Sequence, residues 1–332
     1  MLRLPKFQYV GPSSVEEACS LLKEHEGNIK VLAGGTDLLP SLKHRLFTPE
    51  YVLDLRQAAG LNEITNGSGK QVRIGALTAL TKLEESPVVK EHFPALAEAA
   101  GLVAAPQIRN MGTIGGNIAL ETRCWYFNQS HFWRKSLDPC LKRGGEVCHV
   151  VKSSKKCYAY FAADTVPALI AVNAQIVIKD SQGERTCLVK EIYTQDGKDP
   201  HTLKPTEVIT AVVLPLAAGK SGSSYQKLRL REAIDFPLVG AAAWVAMDGD
   251  TCREARIVLG AVGSGPLEVT EAEDLVKGTT LNEEVLEAVG EVAQKASQPV
   301  ANTISTPGYR RKMAGVFTKK ALREAMRQAG SQ

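Results

Sequence analysis

The sequence predicts an α+β protein built from two successive parts. In the first part, patterns typical of strands, glycine turns and helices follow one another, and in the last third, three strand-like runs precede three helical segments. Between the two parts, Leu216 to Ser224 is small, flexible and polar, which is typical of a domain boundary. A chain of 332 residues is also long enough for two or three hydrophobic cores.

The first 55 residues have the pattern of an α/β half-unit. The run Ile29 to Leu32 is typical of a buried strand, and it leads through the glycine turn 33–37 into helical periodicity over Leu38 to Phe47. Tyr51 to Leu55 predicts a second buried strand. This order of elements predicts a small lobe over residues 1–55.

Residues 56–217 have a sequence pattern more typical of β-hairpins. Gln71 to Ile74 alternates strictly between polar and apolar residues after the turn-like segment 66–69. We therefore expect a second lobe that contains paired strands. The other predicted strands are Gln175 to Ile178, Arg185 to Leu188 and Val208 to Leu214.

The last part, residues 223–332, combines one sheet with helices. Its three strand-like runs, two of them separated by the tight-turn sequence 247–250, predict a three-stranded antiparallel sheet. The helical segments that follow are expected to cover this sheet. The strands are Tyr225 to Leu230, Leu238 to Met247 and Ala255 to Val262, and the helices lie near Thr270 to Lys277, Asn282 to Ala296 and Gly308 to Arg327.

Composition and charge argue against several classes of protein. The N-terminus has no uninterrupted apolar segment, and the longest apolar run, Pro237 to Met247, is shorter than the ~18 to 20 residues of a membrane-spanning helix. We therefore expect a cytoplasmic protein with no membrane partner. No recognised nucleic-acid module accompanies the basic residues, so no nucleic-acid partner is expected. In the reducing cytoplasm, clustered cysteines indicate metal ligands or an incidental grouping rather than disulfides.

Two glycine-rich turns are candidates for binding a diphosphate. The turns 33–37 and 112–117 each combine adjacent glycines with a threonine, and glycine lets several backbone N–H groups converge on one anion. Neither turn matches the Rossmann or P-loop motif. The alternative is that each is only a tight turn between a strand and a helix.

Longer segments around both turns resemble a known family. Val31 to Leu39 and Pro106 to Ala119 are similar to the two FAD-pyrophosphate loops of flavin subunits in the xanthine oxidase, or molybdenum hydroxylase, family. Gly75 to Thr78 resembles its Gly-Ala-x-Thr segment, and 164–169 resembles its Asp-x-x-Pro-Ala-Leu segment. Tyr225 to Arg231 is similar to the strand that opens its C-terminal domain.

The resemblance implies a two-lobed FAD-binding domain of the PCMH type over residues 1–217 and a C-terminal flavoprotein domain over 223–332. FAD would bind noncovalently between the lobes, with its pyrophosphate on main-chain groups of the two turns. Arg109 would add charge beside the diphosphate or form a structural salt bridge. The implied cofactor contacts are Leu32, Ala33, Gly34, Gly35, Thr36, Asp37, Leu38, Thr78, Arg109, Thr113, Ile114, Gly115, Gly116, Asn117, Asp164 and Lys227.

An insertion, residues 120–161, distinguishes this chain from the usual family pattern. Ala119 and Asp164 are 45 residues apart, and four of the seven cysteines lie between them with the spacing C-x15-C-x7-C-x8-C. This spacing contains no Cys-x-x-Cys pair, so it favours neither zinc nor an iron–sulfur cluster. Eight of the 19 aromatic residues also fall in the insertion, a composition that favours a cluster shielded from water.

The insertion resembles that of β subunits of 4-hydroxybenzoyl-coenzyme A reductases, which carry a 4Fe–4S cluster in addition to FAD. A structural zinc is the alternative, in which His131 or His149 could replace a cysteine. By resemblance, the cluster ligands are Cys124, Cys140, Cys148 and Cys157.

The resemblance thus implies an electron-transfer subunit of a molybdenum-containing reductase that removes a phenolic hydroxyl. Low-potential electrons would pass from ferredoxin through the 4Fe–4S cluster and FAD to a small 2Fe–2S subunit and a large molybdopterin-binding subunit. The implied assembly is a hetero-oligomer, a dimer of heterotrimers. Seven Lys or Arg and two acidic residues between Cys124 and Cys157 make a net charge of +5, which is expected either to steer an acidic ferredoxin or only to keep the loop soluble.

Three other functions stay open at this point. The first is the flavin subunit of a xanthine dehydrogenase-like hydroxylase that passes electrons to NAD, with a structural zinc in the insertion. The second is a free-standing flavoprotein, which the small C-terminal domain and the lack of a covalent-attachment motif disfavour. The third is a module that binds the nucleotide only structurally and has no redox activity.

Overall fold

The structure is a computed structural model that describes residues 2–67, 69–301 and 305–330. Ser68, within the turn predicted at 66–69, lies outside the described residues. The described chain forms three sheets, one in each lobe of the first part and one in the last part.

The first lobe is a parallel three-stranded sheet with two helices. Its elements are β1 Gln8–Val10, α1 Val15–Glu24, β2 Ile29–Leu32, α2 Leu38–Lys43 and β3 Tyr51–Asp54. The strand order is β1-β3-β2, which confirms the two predicted strands. Helix α2 ends earlier than its periodicity predicts, because Arg45 adopts φ 56° and leaves the helical conformation.

The second lobe combines helices with an antiparallel five-stranded sheet in the order β4-β5-β8-β6-β7. Its central strand β8 is buried at seven of eight positions, as its nearly continuous apolar sequence requires. Short 3-10 helices lie at Leu55–Gln57, Leu141–Arg143 and Val189–Ile192. The strands are β4 Ile64–Gly67, β5 Gln71–Gly75, β6 Gln175–Lys179, β7 Glu184–Leu188 and β8 Val208–Pro215. The helices are α3 Leu80–Glu85, α4 Pro87–His92, α5 Pro94–Gly101, α6 Pro106–Arg109, α7 Ile114–Ile118, α8 His131–Lys135 and α9 Thr165–Ala171.

The last part contains a four-stranded antiparallel sheet, so the prediction of three strands is wrong. The strands are β9 Ser221–Leu228, β10 Val239–Asp248, β11 Thr251–Gly260 and β12 Leu267–Glu268, and the helices are α10 Thr270–Val276, α11 Glu283–Ala296 and α12 Pro307–Gly330. The sheet order is β12-β11-β10-β9. Strand β12 has only two residues, too few to show a periodicity in the sequence, and it exists because it pairs with Val258 and Leu259 of β11.

The second lobe and the last sheet share one hydrophobic core. Tyr225, Ala242 and Val258 of the last sheet belong to the same buried cluster as helices α3, α5 and α9. Glu98 of α5 accepts hydrogen bonds from the Tyr225 N–H (2.6 Å) and from the Ser224 hydroxyl (3.0 Å). The loop 229–236 after β9 is fixed close to the lobes by the Ile234 N–H, which donates to the Ala104 carbonyl oxygen (2.8 Å).

No helix in the described ranges combines the length and the apolar character needed to cross a membrane. The cytoplasmic location stays a prediction.

Candidate functional site

The two predicted glycine turns lie directly against each other. A Cβ at Gly34 would lie 1.8 Å from the carbonyl oxygen of Met111, so only glycine permits this approach of the two backbones. The second turn continues into α7, where the Thr113 side chain accepts a hydrogen bond from the Gly116 N–H (3.1 Å) and caps the helix. Both turns border one cleft.

This cleft between the lobes has a volume of about 510 Å³, a size that suits a small-molecule cofactor. Its close-packed glycines fit a diphosphate, because they let the backbone of both turns approach the anion without a Cβ in the way. Eleven of the sixteen predicted cofactor contacts line the cleft. They are Ala33, Gly34, Gly35, Thr36, Asp37, Leu38, Thr113, Gly115, Gly116, Asn117 and Asp164.

The other five predicted contacts are not among the residues that line the cleft. Leu32 and Ile114 are buried in hydrophobic cores. Thr78 is also buried, and its hydroxyl has no hydrogen-bond partner within the described residues. The Arg109 guanidinium lies 2.9 Å from Glu84, which is the structural salt bridge expected as its alternative role.

Lys227 lies behind the cleft wall, where it orients Asp164. Its fully buried ammonium is 2.9 Å from one carboxylate oxygen of Asp164 and donates to the carbonyls of Leu102 (2.8 Å) and Asp235 (3.0 Å). Tyr225 donates to the other oxygen of Asp164 (2.7 Å). Burial raises the pKa of Asp164, while the charge and hydrogen bond of Lys227 act in the opposite direction.

Sequence reasoning missed several segments that also line the cleft, among them 203–209, and two of the missed segments meet at Arg123. Glu121 and Arg123 come from the insertion, and Phe236 comes from the loop 229–236. The Arg123 guanidinium forms an ion pair with Asp37 of the first turn and lies 4.9 Å from the ring centroid of Phe236. Arg123 and Asp37 are 86 residues apart, so no local pattern connects them.

The insertion is closed at its base and anchored on the first lobe. Arg123 and Tyr160 exchange two backbone hydrogen bonds of 2.8 Å, which join the two ends of the insertion. At its far side, the buried Arg134 guanidinium donates to the carbonyls of His44 (3.0 Å) and Arg45 (2.7 Å). The insertion therefore reaches across from the second lobe to the first.

All four cysteines of the insertion line one small pocket together with Tyr126, Phe127 and His149. These thiols are free, and those of Cys148 and Cys157 are buried. Four cysteines are the donor set of a 4Fe–4S cluster and also of a structural zinc site, so the residue types fit either group. However, no group of three or more His, Cys, Asp or Glu side chains in the described residues is arranged as a metal-ion site. The four-cysteine ligand set stays a prediction.

The surroundings of the pocket differ in two ways from what composition suggests. Of the eight aromatic residues in the insertion, only two rings line the pocket, and Trp125 and Phe132 are instead exposed. His149 lines the pocket, but its ring nitrogen is 2.8 Å from the Asp138 carbonyl oxygen.

Burial also affects the protonation of these thiols. It raises the pKa of the Cys157 thiol to about 11 and raises the pKa of Cys124 as well. Both thiols are therefore protonated at neutral pH when no metal is bound. Because metals bind thiolates, loading of this pocket would release those protons.

Some of the positively charged side chains of the insertion are buried rather than exposed to solvent. The side chain of Lys142 is 6% exposed, and its ammonium lies 2.9 Å from Glu121 and donates to the Thr122 hydroxyl (2.7 Å). Arg134 is also buried. The net charge of +5 counted along the sequence therefore overstates the charge that faces solvent. The exposed cations of the insertion are Lys135, Lys152, Lys155 and Lys156.

Two family descriptions match successive parts of the chain. Residues 5–217 match the FAD binding domain in molybdopterin dehydrogenase, and residues 223–325 match the CO dehydrogenase flavoprotein C-terminal domain. The chain belongs to the FAD-binding subunits of the molybdenum hydroxylase family. This flavin subunit is thus an oxidoreductase subunit whose cofactor is FAD, while the individual residues that contact FAD stay predictions.

Relatives of this flavin subunit match it over nearly their whole length. The carbon monoxide dehydrogenase medium chain of Hydrogenophaga pseudoflava is 31% identical over 321 residues, with 97% of each chain covered. The putative xanthine dehydrogenase FAD-binding subunit of Escherichia coli K12 is 28% identical over 323 residues, again with 97% of each covered. A solved structure of carbon monoxide dehydrogenase from H. pseudoflava has a TM-score of 0.81 at 30% identity, over 98% of this chain and 99% of that one.

Proposed function

We propose that this flavin subunit is the FAD- and 4Fe–4S-containing electron-transfer subunit of a molybdenum-containing aromatic acyl-coenzyme A reductase of the 4-hydroxybenzoyl-coenzyme A type. Two low-potential electrons from ferredoxin and two protons would replace a phenolic C–OH bond by C–H and release water. The partners would be a small 2Fe–2S subunit and a large molybdopterin-binding subunit, in a cytoplasmic dimer of heterotrimers.

The observation that carries this proposal is the convergence of the four insertion cysteines on one pocket beside the cofactor cleft. Lys142 lines the cysteine pocket and is paired with Glu121, which lines the cleft. Arg123 lines the cleft and is followed directly by Cys124, which lines the pocket. The two sites therefore share a wall, as an electron carrier added to a flavin subunit requires.

FAD exchanges one or two electrons and an iron–sulfur cluster exchanges one, which is chemistry that no side chain supplies. The chain would contribute backbone donors of the two turns for the diphosphate and a carboxylate, Asp164, held toward the cleft by Lys227 and Tyr225. Lys142 would place a buried positive charge beside the thiolates of the pocket.

Metal analysis after anaerobic purification tests the proposal. We expect about four iron and four acid-labile sulfide per chain in addition to one noncovalently bound FAD, because four cysteines bind a 4Fe–4S cluster. One equivalent of zinc without iron would instead identify a structural zinc site and contradict the proposal.

The alternative function is the flavin subunit of a hydroxylase that passes electrons to NAD, with a structural zinc in the insertion. The names of the relatives favour it, since they are dehydrogenase subunits, among them one for xanthine. Flavin reduction in the complete complex separates the two functions. The reductase is expected to take electrons from reduced ferredoxin and poorly from NADH, whereas rapid reduction by NADH would favour the hydroxylase.

The exposed lysines of the insertion are expected to steer the acidic electron donor. Changing Lys135, Lys152, Lys155 and Lys156 together to Gln removes four positive charges near the cysteine pocket without disturbing the buried Lys142 and Arg134. We expect ferredoxin-dependent reduction to slow by about tenfold or more at low salt, because steering depends on ionic strength. Stopped-flow reduction rates between low and high salt measure this effect.

A matched control carries the same change of charge in the last part of the chain, at the exposed residues Lys277, Lys295, Lys312 and Lys320. This control is expected to keep the parental rate and its salt dependence. Equal slowing in both variants would show that only the net charge of the protein matters, and an unchanged rate in the insertion variant would exclude a docking role.

A further inference from the structure

Arg123 occupies an unusual place, because the insertion supplies it and yet it lines the cofactor cleft. Its side chain is 17% exposed, forms an ion pair with Asp37 of the first glycine turn and packs under the ring of Phe236. Three parts of the chain, the first lobe, the insertion and the loop after β9, therefore meet at this guanidinium.

Carboxylates outnumber cations among the residues that line the cleft, and Arg123 is one of those few cations. The cations among the described lining residues are Lys30 and Arg123, and the carboxylates are Asp37, Glu121, Asp164, Glu207 and Asp235. A cleft with five carboxylates and two cations repels a diphosphate unless the carboxylates are neutralised or the cations face the anion.

The four carboxylates other than Asp37 contact cations or backbone N–H groups, and none of these partners is Arg123. Glu121 lies 2.9 Å from Lys142, Asp164 lies 2.9 Å from Lys227, and Glu207 lies 3.0 Å from Arg185. Asp235 accepts hydrogen bonds from the N–H groups of residues 230 and 231, both at 3.0 Å. These contacts leave Arg123 and Lys30 as the cations available to an anion in the cleft, and the Lys30 ammonium lies over the ring of Phe47 at 4.6 Å.

Arg123 also has N–H groups that its ion pair with Asp37 does not use. Its Nε is buried and has no hydrogen-bond partner within the described residues, while the ion pair with Asp37 uses the Nη2 atom. A guanidinium presents several N–H groups in a fixed plane, so it can keep one carboxylate and still donate to a second anion. A buried donor without a partner is rare in folded proteins, and an anion bound in the cleft that Arg123 lines would supply the missing acceptor.

We propose that Arg123 is an FAD-binding residue that donates to the diphosphate of the cofactor, so that the insertion completes the flavin site. Asp37 belongs to the turn expected to hold that diphosphate, and it positions the guanidinium there. The proposal rests on FAD binding by this family and holds whether the cysteine pocket contains iron, zinc or no metal.

The test compares flavins with and without phosphate on the full-length chain after removal of FAD. Arg123→Gln is expected to raise the Kd for FAD by about tenfold or more, because a charge-assisted hydrogen bond is lost. The Kd for riboflavin, which has no phosphate, should change less than about twofold. Arg143→Gln is the matched control, since Arg143 is another insertion arginine but does not line the cleft.

Asp37→Asn separates binding from structure, and it is informative even if Arg123→Gln does not fold. If Arg123 binds the diphosphate, the amide oxygen of the introduced asparagine can still accept the Nη2 hydrogen bond and hold the guanidinium, while one negative charge beside the diphosphate is removed, so FAD binding tightens by about threefold. If Arg123 only forms a structural ion pair, Asp37→Asn weakens FAD binding and lowers the unfolding temperature of the apoprotein. That result, or equal weakening of FAD and riboflavin in Arg123→Gln, would overturn the proposal.

Discussion

A Gly34→Ala variant is expected to lose FAD and to unfold at a lower temperature than the parent protein. The added Cβ would lie 1.8 Å from the carbonyl oxygen and 2.6 Å from the carbonyl carbon of Met111, and neither backbone atom can rotate away. The two turns must then separate, at a cost of about 2 kcal/mol or more. Flavin content per chain and thermal unfolding of the apoprotein measure both effects.

A second substitution separates damage to the fold from obstruction of the cleft. A Cβ at Gly116 would lie 3.0 Å from the Thr113 hydroxyl and 4.0 Å from the Cβ of Ala33, so it enters the space between the turns without meeting backbone. We expect Gly116→Val to weaken FAD binding about 10- to 100-fold while the apoprotein unfolds near the parental temperature.

Gly183→Ala serves as the neutral control, because an added Cβ at Gly183 meets no atom within 4 Å. It should keep full flavin content. Retention of full flavin content in Gly116→Val would contradict the assignment of the two turns as the diphosphate site.

The elements with a strong local pattern could be predicted from the sequence, and those made by tertiary pairing could not. Leu216 to Ser224 has the composition of a linker, yet β9 begins at Ser221. The buried hydroxyls of Ser223 and Ser224 are satisfied by the Ala95 N–H (3.2 Å) and the Glu98 carboxylate (3.0 Å). Polar residues thus occupy a buried strand because their partners lie on a distant helix, which no window of sequence shows.

The candidate site divides in the same way. Glycine turns are local motifs, and 33–37 and 113–117 were therefore found from the sequence. Arg123 reaches the cleft because the insertion folds back over it. A count of charges along the sequence does not show where each charged side chain points. For the same reason, the sequence could not show that Lys142 faces the cysteine pocket rather than solvent.

The structure shows which cysteine side chains lie together in the pocket, so a cysteine substitution can test the proposed cluster. Cys148 lines the cysteine pocket and is 5% exposed, whereas Cys252 is 0% exposed and lies in β11, where its thiol is 3.4 Å from the Glu254 carbonyl oxygen. Both side chains are small, buried and free of disulfides, so alanine at either position should cost a similar free energy of packing.

Cys148→Ala is expected to lose most of the iron and acid-labile sulfide of the anaerobically purified protein, since one ligand of the proposed cluster is removed. Its FAD content should stay at the parental level, because Cys148 does not line the cofactor cleft. Cys252→Ala should retain both iron and FAD. If Cys148→Ala keeps its iron, or if Cys252→Ala loses as much, the cluster is not held by the insertion. The convergence of its four cysteines would then be a feature of packing alone.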